Sequence, residues 1–275
     1  MTLSVLVPSS LVRDAADKRA ATRKLGAVAR AATVFRVDRV TVYPDPDGED
    51  EWGGGFVAAV LAYAATPPHL RKEAWGERDE LEYAGVLPPL RAVTRTGSGP
   101  ESSGSLRQGI VTEVGPDGRV RVNCGLQHPI SLVASDATVG ERVTVRISSR
   151  DPVRAKVVDD QVGWSVDRSD LPAALGREAA GFRIAASRHG DVVRASAVES
   201  LAGRVESDGA TVVFGAPDRG LPAILGVELE PDAESFPPGE PGFDRWLDTV
   251  PNQGSEVVRT EEALLATLAV LNLRA

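Results

Sequence analysis

Two stretches near the C-terminal end hold residues whose types and spacing suit the binding of a small molecule. In "TVVFGAPDRGLPAIL" a β-branched run, Ala210 to Gly215, ends on glycine, four residues lead to Gly220, and an apolar segment follows. Ligands of open α/β sheets bind beyond the carboxyl ends of strands, and a glycine there lets the backbone approach a ligand closely. A plain strand-to-helix turn would carry the same letters. In "PNQGSEVVRTEEALLATLAVLN" the polar, amide-bearing run Pro251 to Arg259 precedes an apolar helix. It exceeds the roughly 2–6 residues usual for α/β connections, so it is either a surface connection or one wall of a pocket. Neither stretch has the GxGxxG of dinucleotide folds or the GK[ST] ending of a phosphate loop, which argues against a nucleotide-binding oxidoreductase. The histidines at 69, 128 and 189 show no metal-ligand spacing, and the single Cys124 excludes a multi-cysteine metal site or an internal disulfide. No metal is expected.

The elements that must position these stretches can be read from hydrophobic periodicity. Leu3 to Val7 alternates and stops at Pro8, a strand. Asp14 to Thr33 reads as a long helix, and Arg36 to Asp45 as a second strand ending in a Pro/Asp/Gly turn. Phe56 to Ala64 is a buried helix, and "TPPHLRK" starts another, since proline suits a first helical turn. "RTGSGPESSGSLRQG" is a Gly/Ser-rich linker. Short alternating strands follow, with "GPDG" as a hairpin turn. They predict a β-barrel of the OB type over 96–159. The α/β pattern then resumes. Ser169 could cap a short helix, Gly181 to Ser187 is a strand, and "DVVRASAVESLAGRV" a helix. "FDRWLDTV" is a further strand. Strands alternating with helices imply a parallel sheet, here split in sequence into 1–95 and 160–275. The terminal helix has Thr260 as its expected N-cap, acids at 261 and 262 in its first turn, and a buried stripe of Leu264, Leu268 and Leu271.

Composition bounds the setting. The chain has 275 residues, ample for a large core. Its net charge is -8, with 39 acids and only four lysines among 31 basic residues. Such a surface fits either a salt-loving organism, where high charge keeps proteins soluble, or a genome that favours arginine codons. No apolar run reaches the roughly 18 residues of a membrane span, and the N-terminus lacks a basic region before its short apolar stretch. A cytoplasmic protein is the simplest reading. Against the acidic total, Arg13, Lys18, Arg19, Arg23, Lys24, Arg30, Arg36 and Arg39 face only Asp14, Asp17 and Asp38 in their segment. Arg19, Arg23 and Arg30 share one helical face. That face is either an ordinary solvated one or a set of phosphate contacts for RNA.

The two C-terminal stretches, as "FGAPDRGL" and "VPNQGSEVVRTEEALLATLAVLN", resemble the second and third motifs of the SPOUT methyltransferases. "VLVPSSLVRDAADKRAAT", "YAATPPHLRK", "LEYAGVLPPLR" and "IAASRHG" are similar to an archaeal and eukaryotic subfamily with an inserted OB-like domain, while "QVGWSVDR" departs from an aromatic-rich pattern. The resemblance implies a parallel sheet closed by a C-terminal trefoil knot, a homodimer, and S-adenosyl-L-methionine bound among three loops. Carried over, these loops are Ser187 to Gly190, Gly215 to Gly220 and Thr249 to Thr260. Cofactor contacts are then expected from Ser187, Arg188, Gly215, Pro217, Gly220, Val250, Pro251, Asn252, Gln253, Gly254, Val258 and Thr260. Arg188 and Arg259 are the candidates for electrostatic catalysis, and His189 could act as a base. RNA, rRNA or tRNA, would meet Arg13, Lys18, Arg19, Arg23, Lys24 and Arg30, and receive a methyl on a base nitrogen or a ribose oxygen. The alternative is a non-catalytic RNA-binding or ribosome-assembly factor that keeps the fold.

Overall fold

The computed structural model describes residues 2–90, 92, 105–116, 118–133, 136–150, 152–159, 162–227 and 242–273. In chain order the elements are β1 (Leu3–Pro8), α1 (Lys18–Val34), β2 (Arg39–Tyr43), α2 (Gly54–Ala65), α3 (Arg71–Trp75), β3 (Ser105–Val114), β4 (Arg119–Asn123), β5 (Ile130–Val133), β6 (Arg142–Arg150), β7 (Val153–Val158), β8 (Ser165–Arg168), α4 (Leu171–Leu175), β9 (Phe182–Val192), α5 (Ala195–Asp208), β10 (Ala210–Phe214), α6 (Leu221–Leu225), β11 (Arg245–Asp248) and α7 (Thr260–Leu271). They fall into two compact units, 1–62 with 80–90 and 164–275, and 63–79 with 91–163.

The first unit is built on a six-stranded sheet of order β11-β9-β10-β1-β2-β8, parallel at every described pairing. β1 and β10 lie at its centre and are buried at every residue, as strands covered on both faces must be. The alternation read in β1 therefore does not reflect a wet face. Ser4 fills one of its polar positions and is itself buried. α1 starts later than expected, at Lys18, because Ser9 to Asp14 is a turn and the Asp17 side chain caps the helix by accepting the Ala20 N–H at 2.6 Å. Its buried face is made of small residues, Ala21, Ala29 and Ala32 with Leu25 and Val28, which lets α7 pack closely. Leu264, Leu268 and Leu271 of α7 are buried, as their spacing required. One core cluster joins Leu6, Tyr43, Ala185, Val213, Leu221, Phe243 and Trp246. Within it, the Phe243 and Trp246 rings meet edge to face at 5.2 Å.

The second unit is a five-stranded antiparallel sheet of order β5-β4-β3-β6-β7, nearly closed into a barrel around Val111, Val120, Val122, Cys124, Val145 and Ile147. Residues 63–79 belong to this unit, not to the α/β half where 1–95 was expected. Polar contacts explain the difference. Thr66 Oγ1 accepts from Arg142 Nη2 at 2.6 Å and from Trp75 Nε1 at 2.9 Å, and Asn123 donates to Glu73 at 2.8 Å. Burial pushes the Arg142 pKa down. The turn between β3 and β4 has Gly118 in the left-handed region, φ 72°. Most of the Gly/Ser-rich linker, 95–104, and Asp117 of "GPDG" lie outside the described residues.

Candidate functional site

The first wall of a cavity in the α/β unit comes from an irregularity in β9. β9 pairs with β11 at Ile184↔Arg245 and Ala185↔Trp246, and pairing resumes at Asp191↔Leu247. The five residues 186–190 have no partner on β11, although Ala186 still pairs with Phe214 of β10, and the result is a bulge far larger than the usual single residue. Gly190 fixes its end: a Cβ there would lie 2.6 Å from the Trp246 carbonyl carbon. The expected strand ending at Ser187 thus continues to Val192, and helix α5 begins only at Ala195. "SRHG" is not a loop after a strand but a bulge within one.

The second wall follows β10. Ala216 N–H donates to the Arg219 carbonyl at 2.9 Å, and Asp218 takes the left-handed conformation at φ 56°. Gly215 is demanded by the chain itself, since a Cβ would sit 2.8 Å from the Leu221 nitrogen and 2.9 Å from Gly220 Cα. The turn is anchored from β2's far end. Arg219 Nε bonds both oxygens of Asp45, at 3.0 and 3.1 Å. Asp45 is 3% exposed, accepts from Ser10 Oγ at 2.5 Å, and donates its N–H to Ser9 Oγ at 2.7 Å. Tyr43 donates its hydroxyl to the Phe214 carbonyl at 2.6 Å. Burial first, then the Asp45 charge, raises the Tyr43 pKa well above its ordinary value, so it stays a donor.

The third wall is the polar stretch before α7. Thr260 is not the N-cap: Arg259 holds that position, its N–H donating to the Glu262 carboxylate at 2.9 Å. The Thr260 hydroxyl instead donates to the Gly215 carbonyl at 2.7 Å and ties the second wall to the third. The amides of "PNQG" have conformational work. Asn252 adopts φ 61°, and Gln253 Nε2 donates to the Ser255 and Glu256 carbonyls at 2.9 and 3.2 Å. Likewise α4 is preceded by Asp170, not capped by Ser169.

These walls enclose a cavity of about 420 Å³, within the range of small-ligand sites. Of the expected cofactor residues, Ser187, Arg188, Gly215, Gly220, Val250, Gln253, Val258 and Thr260 line it. Pro217, Pro251, Asn252 and Gly254 do not: Pro217 is buried inside the turn, and Asn252 and Gly254 point to solvent at the loop's outer edge. Arg259 is also outside the lining, its side chain 60% exposed and 3.7 Å from Asp14. The residues singled out from sequence did not include Asp218 and Glu256, which lie within the expected loops, or Asp248, Phe214 and Leu247, which lie outside them; all five line the cavity. Asp248 ends β11 and accepts the Val250 N–H at 2.9 Å. A strand-terminal acid followed by the polar stretch was the only signal available for it. His189 is half-buried on the bulge, and Arg188 Nε donates to its Nε2 at 3.3 Å. Burial, and then the Arg188 charge, lower the His189 pKa below its ordinary value, with Asp248 opposing. The shift favours the neutral imidazole. Among the described residues no group of three or more His, Cys, Asp and Glu could hold a metal ion, and no helix is long and apolar enough to cross a membrane.

A family model described as "Putative RNA methyltransferase", of the SPOUT type, matches residues 2–271. The chain belongs to this family. An uncharacterised protein of Haloarcula marismortui is 66% identical over 99% of both chains. A Halobacterium salinarum protein is 62% identical over the same shares. The human 28S rRNA (uridine-N(3))-methyltransferase is 30% identical over 98% of this chain and 77% of its own.

In this family member the basic segment of α1 is only partly the face that its sequence suggested. Arg19, Arg23 and Arg30 are exposed, with Arg30 Nη1 donating to the Leu90 carbonyl at 3.1 Å. Lys18 lies 3.2 Å from Glu82, and Arg13 is half-buried. Lys24 is 8% exposed, 2.5 Å from Asp14 and 3.6 Å from Glu261 of α7. It is an internal counter-ion in the α1–α7 seam and is not available to phosphate. Arg23 and Lys24 are neighbours in sequence but about 100° apart around the helix, and the sequence alone did not say which of them turned inward.

Proposed function

We propose that this chain is an S-adenosylmethionine-dependent RNA methyltransferase with its cofactor in the three-walled cavity. The observation that carries the reading is the lining itself. Phe214, Leu247, Val250 and Val258 offer apolar surface to a purine, while Asp218, Asp248 and Glu256 outnumber the single cationic side chain, Arg188. A polyanionic dinucleotide would be repelled by three carboxylates. A ligand bearing a sulfonium and an ammonium against one carboxylate would be attracted. Bound there, the cofactor would supply an electrophilic methyl group. The chain's part is to hold the acceptor in line, exclude water and accept a proton.

By analogy with the human relative, the acceptor is the N3 of a uridine in large-subunit rRNA. A ribose oxygen or a tRNA is the competing target. The exposed Arg19, Arg23 and Arg30 are the RNA-facing charges, assisted by Lys18 and Arg13, and the barrel unit, read as OB-like, grips single-stranded RNA. A knotted C-terminal segment, a homodimer and a cytoplasmic location complete the reading. The Thr260 to Gly215 hydrogen bond, which joins two of the walls, is consistent with the knot.

Two measurements test it. Calorimetry with S-adenosylhomocysteine at tens of micromolar protein should show stoichiometric heat, and silence would sink the cofactor assignment. Incubation with deuteromethyl cofactor and unmodified rRNA should give labelled 3-methyluridine on nucleoside mass analysis. Cofactor binding without any transfer would favour the non-catalytic assembly factor, and label on ribose would move the acceptor.

A further inference from the structure

We propose that His189 is the catalytic residue that takes the proton from the acceptor nitrogen, and that Arg188 latches it until RNA arrives. This rests on the methyltransferase reading of the same cavity. A pyrimidine imide N–H that gains a methyl must lose its proton, so the site needs a base beside the acceptor. The titratable groups that line the cavity are His189 on the β9 bulge, Asp248 at the end of β11, Asp218 in the turn after β10, and Glu256 in the stretch before α7. Asp218 and Glu256 are solvent-exposed carboxylates, and Asp248 already accepts the Val250 N–H. Exposed carboxylates are poor matches for an imide proton, because proton transfer is most effective when the base titrates near the working pH. Imidazole does so.

The geometry favours His189 independently. Its backbone N–H donates to Ser187 Oγ at 3.2 Å, and Gly190 seats the end of the bulge on the β11 backbone, so the ring is carried by a pinned segment. Arg188 Nε donates to Nε2 at 3.3 Å. A nitrogen that accepts this bond carries no proton, so in the neutral ring the hydrogen is on Nδ1 and the lone pair of Nε2 is kept for an incoming proton. Arg188 is exposed and its guanidinium can leave for a phosphate, to which it binds more strongly than to neutral imidazole.

The step balances. The acceptor N–H proton passes to Nε2, the N–C bond forms as the S–C bond breaks, and the positive charge lost at sulfur reappears on the imidazolium. The cavity therefore holds the same charge before and after, and Asp248, Asp218 and Glu256 stabilise the cation at either end. Release of the proton to water resets the ring.

The test is single-turnover methyl transfer to unmodified rRNA at saturating cofactor and RNA, from about pH 5.5 to 9, with S-adenosylhomocysteine affinity measured alongside. Wild type should show a rate that climbs tenfold per pH unit on the acid side and levels below neutrality. His189→Gln should lose that limb and about 10²–10⁴-fold in plateau rate while binding S-adenosylhomocysteine within about twofold. His189→Gln with the acid limb intact, or with a rate within about threefold of wild type, would overturn the proposal. Arg188→Ala should move the limb to higher pH because a neighbouring cation has gone, and, with RNA varied in a separate series, should raise the RNA concentration that gives half the maximal rate. A plateau as low as that of His189→Gln would overturn the latch. Failure of wild type itself to bind S-adenosylhomocysteine would count against the methyltransferase reading, not the base.

Discussion

Gly215 shows how a single residue's role depends on what surrounds it. From sequence it was a place where backbone could meet a ligand. In the fold, the space beside it is filled by the chain, with Leu221 N 2.8 Å from any Cβ. Gly220 is different, its nearest neighbour being Pro222 Cδ at 3.6 Å, and around Gly254 nothing lies within 4 Å. Gly215→Ala should therefore push the Gly220–Leu221 backbone aside, costing about 1–3 kcal/mol as overpacking does, and should weaken S-adenosylhomocysteine through the shifted wall. Gly220→Ala and Gly254→Ala should change stability by less than about 0.5 kcal/mol. Denaturant titration and calorimetry on the three variants decide this. If Gly215→Ala unfolds with wild type, the close approach has no energetic weight. The glycine types were legible in the sequence. Which of them were required was not, because that depends on a backbone crossing made only in three dimensions.

At the scale of elements, the cavity walls were legible where they coincide with local patterns and illegible where a distant partner sets them. The strand ending at Phe214 and the polar stretch before α7 announced themselves by composition. The β9 bulge did not, since its five extra residues exist only relative to β11. Neither did the Asp45–Arg219 anchor, whose partners are 174 positions apart. The α1–α7 seam is a third such case. Lys24 and Glu261 read as a phosphate contact and a helix-dipole acid, yet they face each other across it at 3.6 Å. Lys24→Met leaves the partly buried Glu261 carboxylate without its nearest cation, so it should cost about 1–3 kcal/mol at neutral pH. The sign of the pH dependence follows from Glu261. Burial raises its folded pKa above 4.5, with Lys24 pulling it back down. Its contribution to stability is thus lost as pH rises from 4.5 through that raised value. Without Lys24 the pKa rises further, so the variant should be closest to wild type in acid and diverge as pH climbs. Melting curves of both proteins across that range check it. Coincident curves at neutral pH would mean Lys24 is effectively solvated and restore it as a phosphate contact.

For the whole molecule, the charge total and the charge pattern pull in opposite directions, and salt separates them. A net charge of -8 spread over the surface repels itself. Added KCl screens that repulsion, so the melting temperature should rise with salt. Binding of RNA runs the other way, because each phosphate neutralised releases counterions that high salt makes costly to release. If Arg19, Arg23 and Arg30 are phosphate contacts, changing all three to Gln removes about three such events. The plot of log affinity against log salt for single-stranded RNA should then flatten by about 2 in slope. The same variant is three charges more acidic, so its melting temperature should depend more steeply on salt than that of wild type. Affinity for S-adenosylhomocysteine should not move, since none of the three lines the cavity. An unchanged RNA slope, with the steeper melting dependence still present, would show that this face of α1 is merely solvated. RNA would then have to be sought on the other exposed arginines. The acidic composition and the basic stripe are thus separable by experiment, the first through the salt dependence of melting and the second through the salt dependence of RNA affinity.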